Sequence, residues 1–181
     1  LLFAHWPCPT AILAPLIPRG LTLDTFEGQA WLGVVPFRMS GVRVRWLPGV
    51  PTAESFPELN VRTYVTDGRK PGVWFFSLDA ASAFAVAVAR RWFHLPYFHA
   101  DMRVVADGDA VRFSSARTHR DAGEATFDAR YGPRGPVERA VPGTLVHLLS
   151  ERYCLYAADS RGRLRRGEIH HHPWPLQPGW T

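Results

Sequence analysis

FPELNVRTYVTDGRKPGVWFFSLD, residues Phe56–Asp79, is the stretch that decides the fold. Two runs rich in Val, Tyr, Thr, Phe and Trp flank the breaker cluster Asp67-Gly68-Arg69-Lys70-Pro71-Gly72, which predicts a β-hairpin. Strand alternation puts Glu58, Asn60, Arg62 and Tyr64 on one face of the first run. The more apolar Leu59, Val61, Thr63 and Val65 take the other. On the second run the same rule groups Val73, Phe75, Ser77 and Asp79 against Trp74, Phe76 and Leu78. Pairing Thr66 with Val73 sets Arg62 opposite Ser77 and Asn60 opposite Asp79, so the guanidinium faces groups that can accept from it.

Outward from the hairpin, Pro48–Pro57 holds three prolines in ten residues and reads as a loop suited to a lid or rim. Ala80–Phe93 is predicted helical, with Phe84, Val88 and Trp92 as its core-facing stripe and Arg90 and Arg91 at the favourable end of the dipole. Further strands are predicted over 1–6, 21–26, 29–37, 97–105, 110–119, 124–131, 152–157 and 164–171, with short helices over 9–17 and 143–150. The whole reads as an α+β, mainly β, antiparallel domain.

At 181 residues, the chain 1–181 is expected to form a single domain, burying about 70% of the surface its unfolded state exposes. Hydrophobic and aromatic fractions of 46% and 13% exclude a disordered chain. No run of about 18 apolar residues predicts a membrane span, and no signal-peptide pattern is present. Two cysteines, Cys8 and Cys154, make no disulfide framework, so a reduced, cytoplasmic setting is expected. The net charge of +5 invites a nucleic-acid partner, but the basic residues are scattered and all except Lys70 are Arg. That pattern reads as compositional, and no specific nucleic-acid partner is expected. The densest group, Arg161, Arg163, Arg165 and Arg166, defines the alternative: a non-enzymatic module that binds nucleic acid or protein through its basic surface.

The set AHWPCP, LTLDTFEGQAW, PFRM, FPELNVRTYV, GVWFFSLDA, LPYFHADM, ERYCLY and RGEIHHHPWPLQ resembles the YqjF-like family of uncharacterised proteins over nearly the whole chain. That family is similar in fold to acetoacetate decarboxylase, which implies a cone-shaped antiparallel β-barrel with flanking helices and a small-molecule cavity. The resemblance supplies no reaction. Decarboxylases of this fold use a lysine of depressed pKa to form a Schiff base. By motif order LPYFHADM falls where they carry it, and this chain has Tyr97-Phe98-His99 there. Its only lysine, Lys70, is in the predicted turn, so a Schiff-base mechanism is not expected. The resemblance makes Glu58 and Arg62 the counterparts of polar groups that handle a substrate carboxylate.

The candidate site is therefore the polar face itself. Arg62 would grip a ligand carboxylate with Asn60, Tyr64, Asp79 and Tyr97 around it, and Glu58 or His99 would move a proton. The competing reading of the same residues is a structural Arg–Asp–Glu network or an exposed sheet face. The expected ligand is a small organic acid, either simply bound or turned over by a lysine-independent lyase, isomerase or hydratase. No cofactor and no metal are expected: His170-His171-His172 has no HExxH or paired-Cys spacing beside it, and packing or turn roles suit it equally. No serine lies in a G-x-S-x-G context, which argues against a hydrolase triad.

Overall fold

The computed structural model describes residues 1–40, 55–169 and 171–181. The expected lid, up to residue 54, and His170 therefore lie outside the described residues. The order of elements is β1 (Ala4–Cys8), α1 (Thr10–Leu13) running into a 3-10 turn (Ala14–Leu16), β2 (Thr22–Leu23), β3 (Ala30–Met39), β4 (Phe56–Thr66) and β5 (Pro71–Ala80). There follow α2 (Ala83–Phe93), β6 (Tyr97–Asp107), β7 (Ala110–Arg117), β8 (Thr126–Pro133), α3 (Leu145–Ser150), β9 (Cys154–Ala158), β10 (Leu164–Glu168) and β11 (Gly179–Trp180). The fold is mainly β. Its sheet runs β1-β3-β4-β5-β6-β7-β8-β11 and curls into a half-barrel.

The predicted hairpin forms, with its turn fixed by side-chain chemistry. Asp67 Oδ1 accepts from the backbone N–H groups of Arg69 and Lys70, both at 2.9 Å, and Gly68 supplies the positive φ of 83°. Its register differs from the sequence expectation. Thr66 pairs with Pro71, so Tyr64 faces Val73 and Arg62 faces Phe75. A β-bulge follows: Val61 pairs with Ser77, which leaves Phe76 as an extra residue on β5. Beyond it Asn60 faces Leu78 and Glu58 faces Ala80. The bulge inverts the alternation of β5. Val73, Phe75, Leu78 and Ala80 share one face and one core cluster, and Asp79 turns to the other face.

The far edge of β5 is divided. Val73 and Trp74 pair in parallel with Leu155 and Tyr156 of β9, whereas Leu78–Ala80 pair in parallel with Tyr97–His99 of β6. From there β6, β7 and β8 curl back, so that Phe113 and Tyr131 pack with Leu59 on the outer face of β4. On the inner face Tyr64 packs with Phe75, Leu78, Tyr97, Val86 of α2 and Leu149 of α3. With both faces covered, β4 is buried at every position from Glu58 to Val65 except Val61.

Helix α2 begins on the Ser82 hydroxyl, which accepts from the Ala85 N–H, and ends on left-handed His94. Its orientation corrects the sequence expectation. Val86 is its buried residue, while Phe84 and Trp92 are 66% and 59% exposed. The short links at 81–82 and 94–96, anchored on adjacent parallel strands, set the helix's rotation and turn the large stripe outward. No helix among the described residues is long and apolar enough to cross a membrane.

Candidate functional site

The inner face of β4 carries Glu58, Asn60, Arg62 and Tyr64 in one row, as alternation predicts, and all four are buried. The row opens on Glu58, which is 1% exposed and accepts a 2.9 Å hydrogen bond from the Tyr97 hydroxyl at Oε2. No guanidinium or ammonium group among the described residues pairs with it. Burial pushes its pKa from 4.5 up to about 8, against a small downward pull from the Tyr97 hydrogen bond, so at neutral pH it is a carboxylic acid. Burial, followed by Glu58, likewise raises the Tyr97 phenol well above its ordinary value.

At the other end of the row, Arg62 Nη2 and the Tyr64 hydroxyl both donate to the Leu149 carbonyl, at 3.1 and 2.7 Å. Arg152 Nε donates to the neighbouring Leu148 carbonyl at 2.6 Å, and its Nη1 meets Asp24 at 2.8 Å. These carbonyls lie in the last turn of α3, where helical partners run out and the dipole is negative. Two guanidinium groups and a phenol thus hold the end of α3 against β4. The Tyr64 proton is committed to Leu149, so His5 Nε2, 2.6 Å from the Tyr64 oxygen, is the donor of that bond. The imidazole is neutral: burial first, and the Arg62 charge second, depress its pKa from 6.5 to about 3. Gly33 makes the approach possible, since a Cβ there would lie 3.1 Å from the His5 ring and 3.4 Å from Arg62 Cγ. Phe3 stacks on His5 and receives the Arg62 guanidinium 5.3 Å from its ring centroid.

Three buried polar atoms of this inner face have no hydrogen-bond partner among the described residues: Arg62 Nε, Asn60 Oδ1 and Trp31 Nε1. Arg62 also has no carboxylate partner there, so its charge is desolvated and unmatched. Two buried donors and one buried acceptor of this face thus lack a partner among the described residues, and the neutral acid Glu58 stands in the same row.

Two candidates from the sequence stand apart. Asp79 is not beside Arg62, because the Phe76 bulge puts it on the opposite face. There it receives Arg117 bidentately, at 2.8 Å from Nε and 3.2 Å from Nη2. His99 follows Ala80 laterally, but its Nδ1 is 2.9 Å from the Thr118 hydroxyl and its ring opens on a cleft beside α2. Neither hydrogen-bonds to Glu58 or Arg62. His5, Trp31, Arg117 and Arg152 were not singled out in the sequence. Gly33, a glycine within a strand, is the local mark of the close packing around His5. His171 stacks between Tyr153 and Trp174, with ring centroids 4.4 Å from each, and no metal-binding group of three His, Cys, Asp or Glu occurs among the described residues. In the basic hairpin, Arg163 and Arg165 turn to Asp159, at 2.9 and 3.4 Å.

Comparison with known proteins places this geometry. Acetoacetate decarboxylase from Legionella pneumophila superposes with a TM-score of 0.60 at 12% identity, over 98% of this chain and 68% of that one. The enduracididine biosynthesis enzyme MppR, complexed with pyruvate, gives 0.53 at 11% identity, over 91% and 65%. At such identities the likeness establishes the fold alone. In sequence the chain is 49% identical to the uncharacterized protein YqjF of Bacillus subtilis (strain 168), over 97% of this chain and 72% of YqjF. The model of the DUF2071 family matches residues 1–180, and the chain belongs to this family of uncharacterized conserved proteins, built on an acetoacetate-decarboxylase-like fold.

Proposed function

We propose that the protein binds a small organic acid against the inner face of β4, with a protonated Glu58 placed to exchange a proton with it. The observation that carries this reading is the set of atoms without a partner among the described residues, Arg62 Nε, Trp31 Nε1 and Asn60 Oδ1, each buried and each on the inner face. A carboxylate satisfies the two donors and cancels the unmatched charge of Arg62, while a ligand hydroxyl or enol satisfies Asn60. Pyruvate bound to MppR, on the same fold, supports a small oxo acid as the class to try first.

Glu58 defines the chemistry. An acid with a pKa of about 8 at neutral pH can protonate a developing carbanion or enolate and regain the proton afterwards. Tyr97 hydrogen-bonds the Glu58 carboxyl and orients it. Imine chemistry is not part of the reading. Lys70, the only lysine, sits in the β4–β5 turn with its Nζ 2.8 Å from Glu168. The expected step is proton transfer next to a carbonyl, as in an isomerase, hydratase or lyase that needs no amine.

The test is a thermal-shift screen of keto, hydroxy and unsaturated acids. A ligand at a hundred times its Kd stabilises the fold by about 2.7 kcal/mol, enough to register as a shift in Tm. Arg62→Met keeps the aliphatic stem and removes the fork. Hits are expected to lose at least tenfold in affinity in the folded variant; retention of every hit at unchanged affinity would sink the reading.

A further inference from the structure

A second site lies outside the half-barrel. Between α2 and the start of β6 is a cleft of about 540 Å³, within the usual range for small-molecule sites. Val86 and Ala87 give it an apolar floor, Arg90 and Arg91 stand on the helix side, and His99 and His119 on the strand side. None of Glu58, Asn60, Arg62 or Tyr64 lines it, and the described lining residues include no Asp or Glu.

The polar groups are positioned before any ligand arrives. Arg90 Nη1 donates to the Tyr97 carbonyl at 2.7 Å, and its guanidinium lies 5.4 Å from the Phe98 ring centroid. The same ring meets His119 edge-on at 5.7 Å and is backed by Arg117 at 4.1 Å, which the Asp79 carboxylate fixes. The His99 backbone N–H donates to His119 Nδ1 at 3.2 Å, so the proton of a neutral His119 is on Nε2. The His99 Nδ1 shares a 2.9 Å hydrogen bond with the Thr118 hydroxyl, which holds that ring in place. Two imidazoles and two guanidinium groups therefore surround a small apolar floor, with no Asp or Glu among its described lining residues.

We infer that this cleft binds an organic oxyanion, a carboxylate or phosphate monoester, carried on a short apolar body. The cationic rim takes the oxyanion and the Val86–Ala87 floor takes the body. The inference is independent of the inner-face reading, and the two fail separately.

The probes are benzoate and phenyl phosphate, titrated into the whole chain while the Cε1–H resonances of the histidines are followed by NMR. Saturable shifts of His99 and His119 are expected, and the stronger of the two probes identifies the oxyanion. Arg91→Met and His119→Asn should each weaken that binding at least tenfold; the Asn carbonyl retains the acceptor for the His99 N–H, so the loop is preserved. Arg62→Met should leave it unchanged. The absence of a saturable shift, or unchanged affinity in Arg91→Met and His119→Asn, overturns the inference. Loss in Arg62→Met alone would assign the probe to the inner face and overturn it equally.

Discussion

Glu58 and Asp79 are both buried carboxylates, 1% and 3% exposed, on neighbouring strands and on opposite faces of one sheet. Asp79 meets a guanidinium through two hydrogen bonds, whereas among the described residues Glu58 meets only a phenol. The first is a finished interaction that fastens β5 to β7. The second is a buried acid left neutral, in the same row as a buried Arg62 that has no carboxylate partner among the described residues. Burial of charge is common to both regions; charge matching separates structure from the candidate site.

Breaking the matched pair should have the largest effect. Asp79→Ala leaves the Arg117 side chain, 12% exposed, without its counter-charge, which costs up to about 3–5 kcal/mol, whereas Asp79→Leu with Arg117→Met should recover most of it. Urea denaturation reads both. A loss below about 1 kcal/mol for the single change would mean that the outer pair is no better matched than the inner row.

The inner row should write its own signature on stability against pH. The folded pKa of Glu58 is raised from 4.5 to about 8, so the native state holds one proton more than the unfolded chain between those values, and stability falls as pH rises through that window. The folded pKa of His5 is depressed from 6.5 to about 3, so the unfolded chain holds the extra proton there, and stability falls as pH drops through it. Between 4.5 and 6.5 the two slopes cancel. Of these two groups only Glu58 acts from pH 6.5 to 8, and its own contribution is a loss of about 2 kcal/mol at 1.36 kcal/mol per unit. Glu58→Gln, which can still accept from Tyr97, should flatten that upper limb and uncover the His5 slope between 4.5 and 6.5, extending the lower limb. An upper limb that persists in the variant would assign the slope to another group.

The smallest effect is expected at the outward stripe of α2. Phe84→Gln and Trp92→Gln should each change stability by no more than about 0.5 kcal/mol, the range of exposed substitutions. A loss of 2 kcal/mol or more at Trp92 would put that stripe in contact with something that covers it.

The hairpin, the positions of most strands along the chain, the long helix and the polar row of β4 were all legible, because local alternation and turn chemistry act over a few residues; the parallel pairing of β5 with β6 and β9 was not. The site's partners were not. Arg62 ends on a carbonyl 87 residues away, and His5 reaches Tyr64 across 59, so neither contact leaves a periodic trace. The facing of α2 was misread because the pattern marks an apolar stripe without saying which stripe the links turn inward. Asp79 was placed beside Arg62 because strict period two holds only in an unbroken strand.

One residue, Phe76, breaks it. Were Phe76 paired in a straight ladder instead of looped out, alternation along β5 would carry Asp79 to the inner face and Leu78 to the outer one. Arg62 would then gain an acid from its own sheet, and Arg117 would lose one. The bulge thus behaves as a phase shifter: whether one residue is paired or looped out decides which of two cations Asp79 neutralises. Deleting Phe76 would close the bulge and leave Asp79 on its present face with Arg117, whereas pairing Phe76 into the ladder would hand the carboxylate to Arg62.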